Sequence, residues 1–131
     1  MNRDGEGKPL DLKTRTKKFA LRVIRLYVAL PKSAQAQVLG KQVLGSGTSV
    51  GAHYRESLRA RSDAEVISKI EGGLQELEET QYWLELLAES EIVPEDRLSS
   101  LLQEADELTA IPVTCVKRVK ERKKHAIGAR P

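Results

Sequence analysis

Leu12, Thr16, Phe19, Val23, Leu26 and Leu30 are spaced by four, three, four, three and four residues. An α-helix repeats about every 3.6 residues, so this spacing sets all six on one face. A strand, with its period of two, would scatter them over both faces. The same rhythm returns in Leu39, Val43, Ser46, Val50, His53 and Ser57, and again in Val66, Ile70, Gly73, Leu77, Gln81, Leu84 and Ala88. A fourth stripe runs through Leu98, Leu101 or Leu102, Ala105, Leu108, Ile111 or Pro112, Cys115 and Val119. Four helices that each carry one such stripe must bury them against one another. Ala20, Ile24 and Tyr27 widen the first stripe, Leu74 and Leu87 flank the third, and Lys13, Lys17, Arg22 and Arg25 fall opposite the first.

Local signals bound the helices. Asp11 and Ser33 stand where N-caps belong. Ser62-Asp-Ala-Glu65 has the form of a capping box. Pro31 ends the first helix, and Pro94 followed by Glu95 and Asp96 suits the start of the fourth. The expected helices span about 11–30, 33–60, 62–90 and 94–123. Their short connections imply antiparallel neighbours. The fold expected is all-α, an antiparallel up-down-up-down four-helix bundle over residues 11–123, with a flexible N-terminal tail at 1–10 and a flexible basic tail at 124–131. Pro112, inside the fourth helix, removes one backbone hydrogen bond and is expected to kink it.

No apolar run nears the roughly 20 residues needed to span a bilayer, and MNRDGEGKPLD lacks the apolar core of a signal peptide. The single cysteine, Cys115, excludes an internal disulfide and fits a reducing cytoplasm. It reads as a small core-filling thiol.

The stretch GSGTSVGAHYRE, residues 45–56, has the look of a phosphate loop. The spacing rejects that reading. Gly40-x4-Gly45 is followed by Ser46-Gly47 and not by Gly-Lys-Ser/Thr, Gly45-x-Gly47-x3-Gly51 misses the dinucleotide pattern by one residue, and no strand precedes it. The stretch reads instead as a helix with a thin face. Gly40, Ser46, Gly47, Val50 and Gly51 are the candidates for close helix packing, because each glycine costs about 1 kcal/mol of helix propensity that close packing has to offset.

Chemistry is hard to find. His53-x-x-Glu56 reverses the Glu-x-x-His of di-iron bundles and occurs once, so no metal site or cofactor is expected, and the pair reads as a polar contact between helices. Cys115 has no histidine at a recognisable spacing and the serines sit at caps or thin faces, so no catalytic residue and no enzyme activity is expected. Trp83, beside the third stripe and next to Tyr82, is either core edge or an interface anchor.

Charge is unevenly spread. The net charge is +3, yet residues 62–108 hold fourteen acidic and two basic groups, while 1–25, 26–61 and 109–131 are each basic. The partition fits internal neutralisation, complementary subunit faces or a polyanion site. The candidates for nucleic-acid binding are Lys17, Lys18, Arg22 and Arg25 in the first helix, Arg55, Arg59 and Arg61 in the second, and Lys117, Arg118, Lys120, Arg122, Lys123 and Lys124 in the last tract. Such groups neutralise phosphates without reading bases, and the lack of aromatics among them argues against a base-stacking platform. The last tract is equally a solubilising helix end favoured by the helix dipole.

TSVGAHYRESLRARSDAEVISKI (48–70), LEETQYWLELL (77–87) and LLQEADEL (101–108), in that order, resemble the bacterial four-helix-bundle family named after proteins encoded in intervening sequences of 23S ribosomal RNA genes. That family is related to the accessory variability determinant of diversity-generating retroelements. The resemblance covers about residues 11–120 and implies a small antiparallel bundle that assembles as a homopentamer. In the retroelement branch it implies binding to RNA or DNA and to a reverse transcriptase through a basic surface. Arg55, Glu56, Glu79, Thr80, Tyr82 and Trp83 match the family's motifs, and Tyr54, Glu56, Tyr82 and Trp83 become interface candidates. His53, where the family usually has asparagine, and Pro112 depart from it. The expectation is a non-enzymatic, oligomeric bundle that binds nucleic acid electrostatically as an accessory factor; the alternative is a protein–protein assembly or adaptor module.

Overall fold

The computed structural model describes residues 11–128, and of residues 115, 123 and 125–128 the helical backbone alone. Cys115, Lys123 and the stretches 1–10 and 129–131 therefore lie outside the described side chains or residues. Four helices follow one another: α1 (Leu12–Ala29), α2 (Ala34–Leu58), α3 (Asp63–Glu89) and α4 (Glu95–Gly128). All starts and the first three ends lie within two residues of expectation. The end of α4 does not: the helix runs on to Gly128, past the expected end at 123, since nothing between Lys123 and Gly128 breaks a helix.

Each start has the cap its sequence announces. The Asp11 carboxylate accepts from the Thr14 N–H at 2.9 Å and Ser33 Oγ from Ala36 N–H at 3.3 Å. At Ser62 the box closes in a variant way: Ser62 Oγ takes the Glu65 N–H, but the Glu65 carboxylate reaches back to the N–H of Arg61. α3 ends in a Schellman turn, with Ile92 N–H bonded to Leu87 O and Glu91 N–H to Ala88 O. Glu91 takes the left-handed conformation that the turn requires, at φ 63°.

Among the described residues, the backbone of α1 lies beside α2, α2 beside α3, α3 beside α4 and α4 beside α1, while the diagonal backbones stay apart. Every seam is antiparallel. Gly40 lies against Tyr27 and Leu30, Gly47 against Val23 and Gly51 against Thr16. Ser46 pairs with Thr80, His53 with Glu76 and Glu56 with Lys69. On the last two seams Glu71 meets Lys120, and Arg15 meets Glu104 and Glu107. The bundle is therefore up-down-up-down.

The core holds the first stripe and much of the others: Phe19, Val23, Val43, Leu77, Leu84, Leu87, Leu98 and Leu108 are buried. Two expectations shift. Ile24 does not widen the first stripe; it is 41% exposed. On α3 the fully buried polar position is Thr80 and not its neighbour Gln81, because Ser46 Oγ waits across the seam at 2.7 Å. One of the two buried hydroxyls donates to the other, which in turn donates to the backbone carbonyl one turn before it, Gln42 O or Glu76 O, so both protons are used and the pair costs the core little.

The small residues of α2 divide by face. A Cβ on Gly47 would lie 2.8 Å from a methyl of Val23, and one on Gly51 would lie 3.0 Å from Thr16 Oγ1. Gly40 and Gly47, a heptad apart, and Gly51 one turn on thus let α1 press on the α2 backbone. Ser46 turns to α3, while Gly45 faces open space. A partly open cavity of about 20 Å³ between the helices has Leu12, Thr16, Val50, Leu77, Leu108 and Pro112 in its mostly apolar lining.

Candidate nucleic-acid interface

Antiparallel order gathers residues that are distant in sequence at one end of the bundle. The start of α1, the end of α2 and the far part of α4 share that end, and each is a basic segment. Between α1 and α2 an open groove of about 390 Å³ is lined by Lys13, Thr14, Lys17, Lys18, Leu21 and Arg55. Three of the residues expected to bind nucleic acid, Lys17, Lys18 and Arg55, thus share one groove. Lys13 joins them, a residue the sequence placed on the outer face without a role. Lys13 sits in the first turn of α1, beside the Asp11 carboxylate that caps the helix start. Asp11 adjoins this groove through Thr14, and the Thr14 backbone N–H holds its carboxyl below the usual carboxylate range.

The other candidates are placed differently. Arg59 and Arg61 are exposed at the α2–α3 connection, at the same end. Arg25 is exposed one turn past Leu21 on α1. Arg22 turns to the α4 seam and donates to Ser100 Oγ at 2.9 Å. Lys120 and Arg122 lie on the acids of α3, at 3.2 Å from Glu71 and 3.4 Å from Asp63. Lys117, Arg118 and Lys124 are exposed. The last tract is thus divided between internal neutralisation and open cations.

Arg15, which carried no signal in the sequence, makes the best-formed ion pair. It is mostly buried, forks onto Glu104 at 2.8 and 3.1 Å and reaches Glu107 at 3.0 Å. The Glu104 hydrogen bonds, with help from Glu107, raise its guanidinium above the ordinary arginine range. It clamps α1 to α4 and is removed from the basic groove by this use.

His53 and Glu56 do not act as a pair. Glu56 bonds Lys69 at 3.1 Å, while His53 Nε2 is 3.6 Å from Glu76 and its ring lies over Gly72, where a Cβ would come within 2.8 Å of it. Its Nδ1 is buried without a hydrogen-bond partner. Among the described residues no three His, Cys, Asp or Glu side chains gather as a metal-binding group. Tyr54, an interface candidate, is half-buried against the core. Trp83 packs against the core as well, whereas Tyr82 is 54% exposed and meets the Trp83 ring edge-on at 5.0 Å. No helix among the described residues is long and apolar enough to cross a membrane.

A family model described as "23S rRNA-intervening sequence protein" matches residues 8–113. The chain belongs to this family. A crystal structure of a protein with unknown function from the S23 ribosomal protein family of Bacteroides thetaiotaomicron is 36% identical to it. The match covers 82% of this chain and 99% of that one, with a TM-score of 0.77. A search of the curated proteins finds no match. The span matched to the 23S rRNA-intervening sequence protein family takes in α1, α2, α3 and the first part of α4, while most of the basic end of α4 lies past it.

Proposed function

We propose that this protein is a non-enzymatic accessory factor that binds RNA or DNA through phosphates at its basic end. The observation that carries the reading is the groove in which Lys13, Lys17, Lys18 and Arg55 converge from two helices. Lysines recognise phosphate as point charges, arginine as a fork, and neither reads a base from there. The groove has no aromatic side chain, so stacking adds nothing and binding is sequence-independent. A machinery that copies or processes nucleic acid, such as the reverse transcriptase that the family resemblance implies, is the partner such a factor would serve.

The test is a titration of labelled RNA and DNA of mixed sequence across salt. Affinity should fall with a log–log slope of about −3 or steeper, as expected for at least four phosphate contacts on single strands. No binding at ~50 mM salt would refute the reading.

A second reading, assembly, rests on a separate observation. The outer seam of α3 is exposed along Ser68, Glu71, Gln75, Glu78, Tyr82, Glu85 and Glu89, an acidic stripe with one aromatic. The outer side of α1 offers Lys18, Leu21, Ile24, Arg25 and Val28. The two helices occupy opposite corners of the bundle, so joining these faces between copies is head-to-tail, an arrangement that makes a ring when the rotation from copy to copy closes. Five copies is the number the resemblance implies. Light scattering should then give a multiple of 14.6 kDa. A monomer at micromolar concentration would remove the ring.

A further inference from the structure

The far part of α4 is anchored to the bundle by few buried side chains. Beyond Val113 the described side chains include one buried residue, Val116, and one half-buried, Val119, while Lys117, Arg118, Lys120, Arg122 and Lys124 are exposed. Two ion pairs, Lys120–Glu71 and Arg122–Asp63, hold the segment against α3, and all four of their side chains are 40–68% exposed. Pairs so open to water are weak and are screened by salt. Directly before the segment stands Pro112, which has no N–H to give the Leu108 carbonyl, so the helix ladder is weakest there. The family match ends at residue 113, at the root of the same segment.

We infer that residues 114–128 form a displaceable basic arm, latched by Asp63 and Glu71 and released when the phosphates of a polyanion replace those carboxylates. The inference rests on the nucleic-acid reading for the identity of the competitor, but not for the latch. In the free protein two arm cations are occupied by α3. At the basic end a bound strand brings a row of phosphates within reach of the arm, and exchanging two carboxylates for two phosphates leaves the arm neutralised while adding its remaining cations to the strand. Asp63 and Glu71 thus act as an internal competitor that lowers affinity for short or weakly charged anions more than for long strands.

The test uses the full chain with Asp63→Asn and Glu71→Gln together, and a control with Glu79→Gln and Asp106→Asn, exposed acids away from the latch that change net charge equally. In the protein alone, amide hydrogen exchange of residues 114–124 should be faster in the latch variant than in the parent or the control, with residues 77–87 of α3 unchanged. Equal exchange in all three overturns the latch, whether or not the protein binds nucleic acid. With a fluorescein-labelled 20-nucleotide oligouridylate at ~50 mM salt, the latch variant should bind roughly threefold to tenfold tighter than the control. Equal affinities for the two variants would mean that bulk charge alone matters, and would overturn the competition. Failure of all three proteins to bind, with fast exchange in the latch variant, would keep the latch and reject its polyanion partner.

Discussion

Gly47→Ala should destabilise the protein, and Gly45→Ala, two residues away, should stabilise it. The two substitutions give the helix the same gain in propensity, up to about 1 kcal/mol. They differ in what the new methyl meets. At Gly45 it meets nothing within 4 Å. At Gly47 it meets both Val23 methyl groups, at 2.8 and 3.0 Å. Val23 is fully buried, and a β-branched side chain in a helix has essentially one rotamer, so it cannot swing aside. The α1–α2 seam must open instead, an overpacking cost of about 1–3 kcal/mol that outweighs the propensity gain. Gly47→Val, with two further methyl groups, should lose about 3 kcal/mol or more, a large part of the ~5–15 kcal/mol that holds a small domain folded. Thermal unfolding followed by circular dichroism checks the signs. If Gly47→Ala raised Tm as Gly45→Ala does, the close approach of α1 to α2 would be wrong.

The second large effect is on binding. Lys13→Gln, Lys17→Gln and Arg55→Gln together should weaken nucleic-acid binding by roughly 100-fold to 1,000-fold at ~0.1 M salt, because each phosphate contact releases counterions worth about a factor of ten at that concentration. The salt slope should shrink by about 2 to 3, and the loss should be the same for every sequence tested. The matching control is Lys32→Gln, Lys41→Gln and Arg97→Gln. Those cations are exposed at the opposite end of the bundle and change net charge by the same amount. Folding should be little affected in both triples, since exposed surface substitutions usually stay within about 0.5 kcal/mol each. Equal losses in the two triples would show that net charge and not the groove attracts the strand.

These two experiments also mark how far the sequence could be read. Gly45 and Gly47 are the same letter, but the helical spacing sets them about 160° apart, nearly on opposite faces. The spacing therefore selects Gly47 for the packed face, but does not say which helix, α1 or α3, meets it. Thr80 and Gln81 pose the same problem on α3. The stripe passes close to both, and the choice of Thr80 is made by Ser46 on another helix. Arg15 gave no signal at all, since an arginine near lysines looks like one more surface cation until Glu104 and Glu107 are brought beside it from 89 and 92 residues away. Lys13 and Arg55 likewise form one groove only because α1 and α2 run antiparallel.

The four stripes, the caps at Asp11, Ser33 and Ser62, and the short connections are local, and each follows from the 3.6-residue repeat or from one hydrogen bond at a helix end. They were enough to determine an antiparallel four-helix bundle. Register and rotation between helices are not local. They come from packing one surface into another: from Val23 against Gly47, from a ring seated over Gly72, from two hydroxyls meeting across a seam. Tertiary structure therefore decided which cations share a groove and which are spent on α3. A periodic pattern states which side of a helix is buried; the neighbour's side chains decide what that side touches.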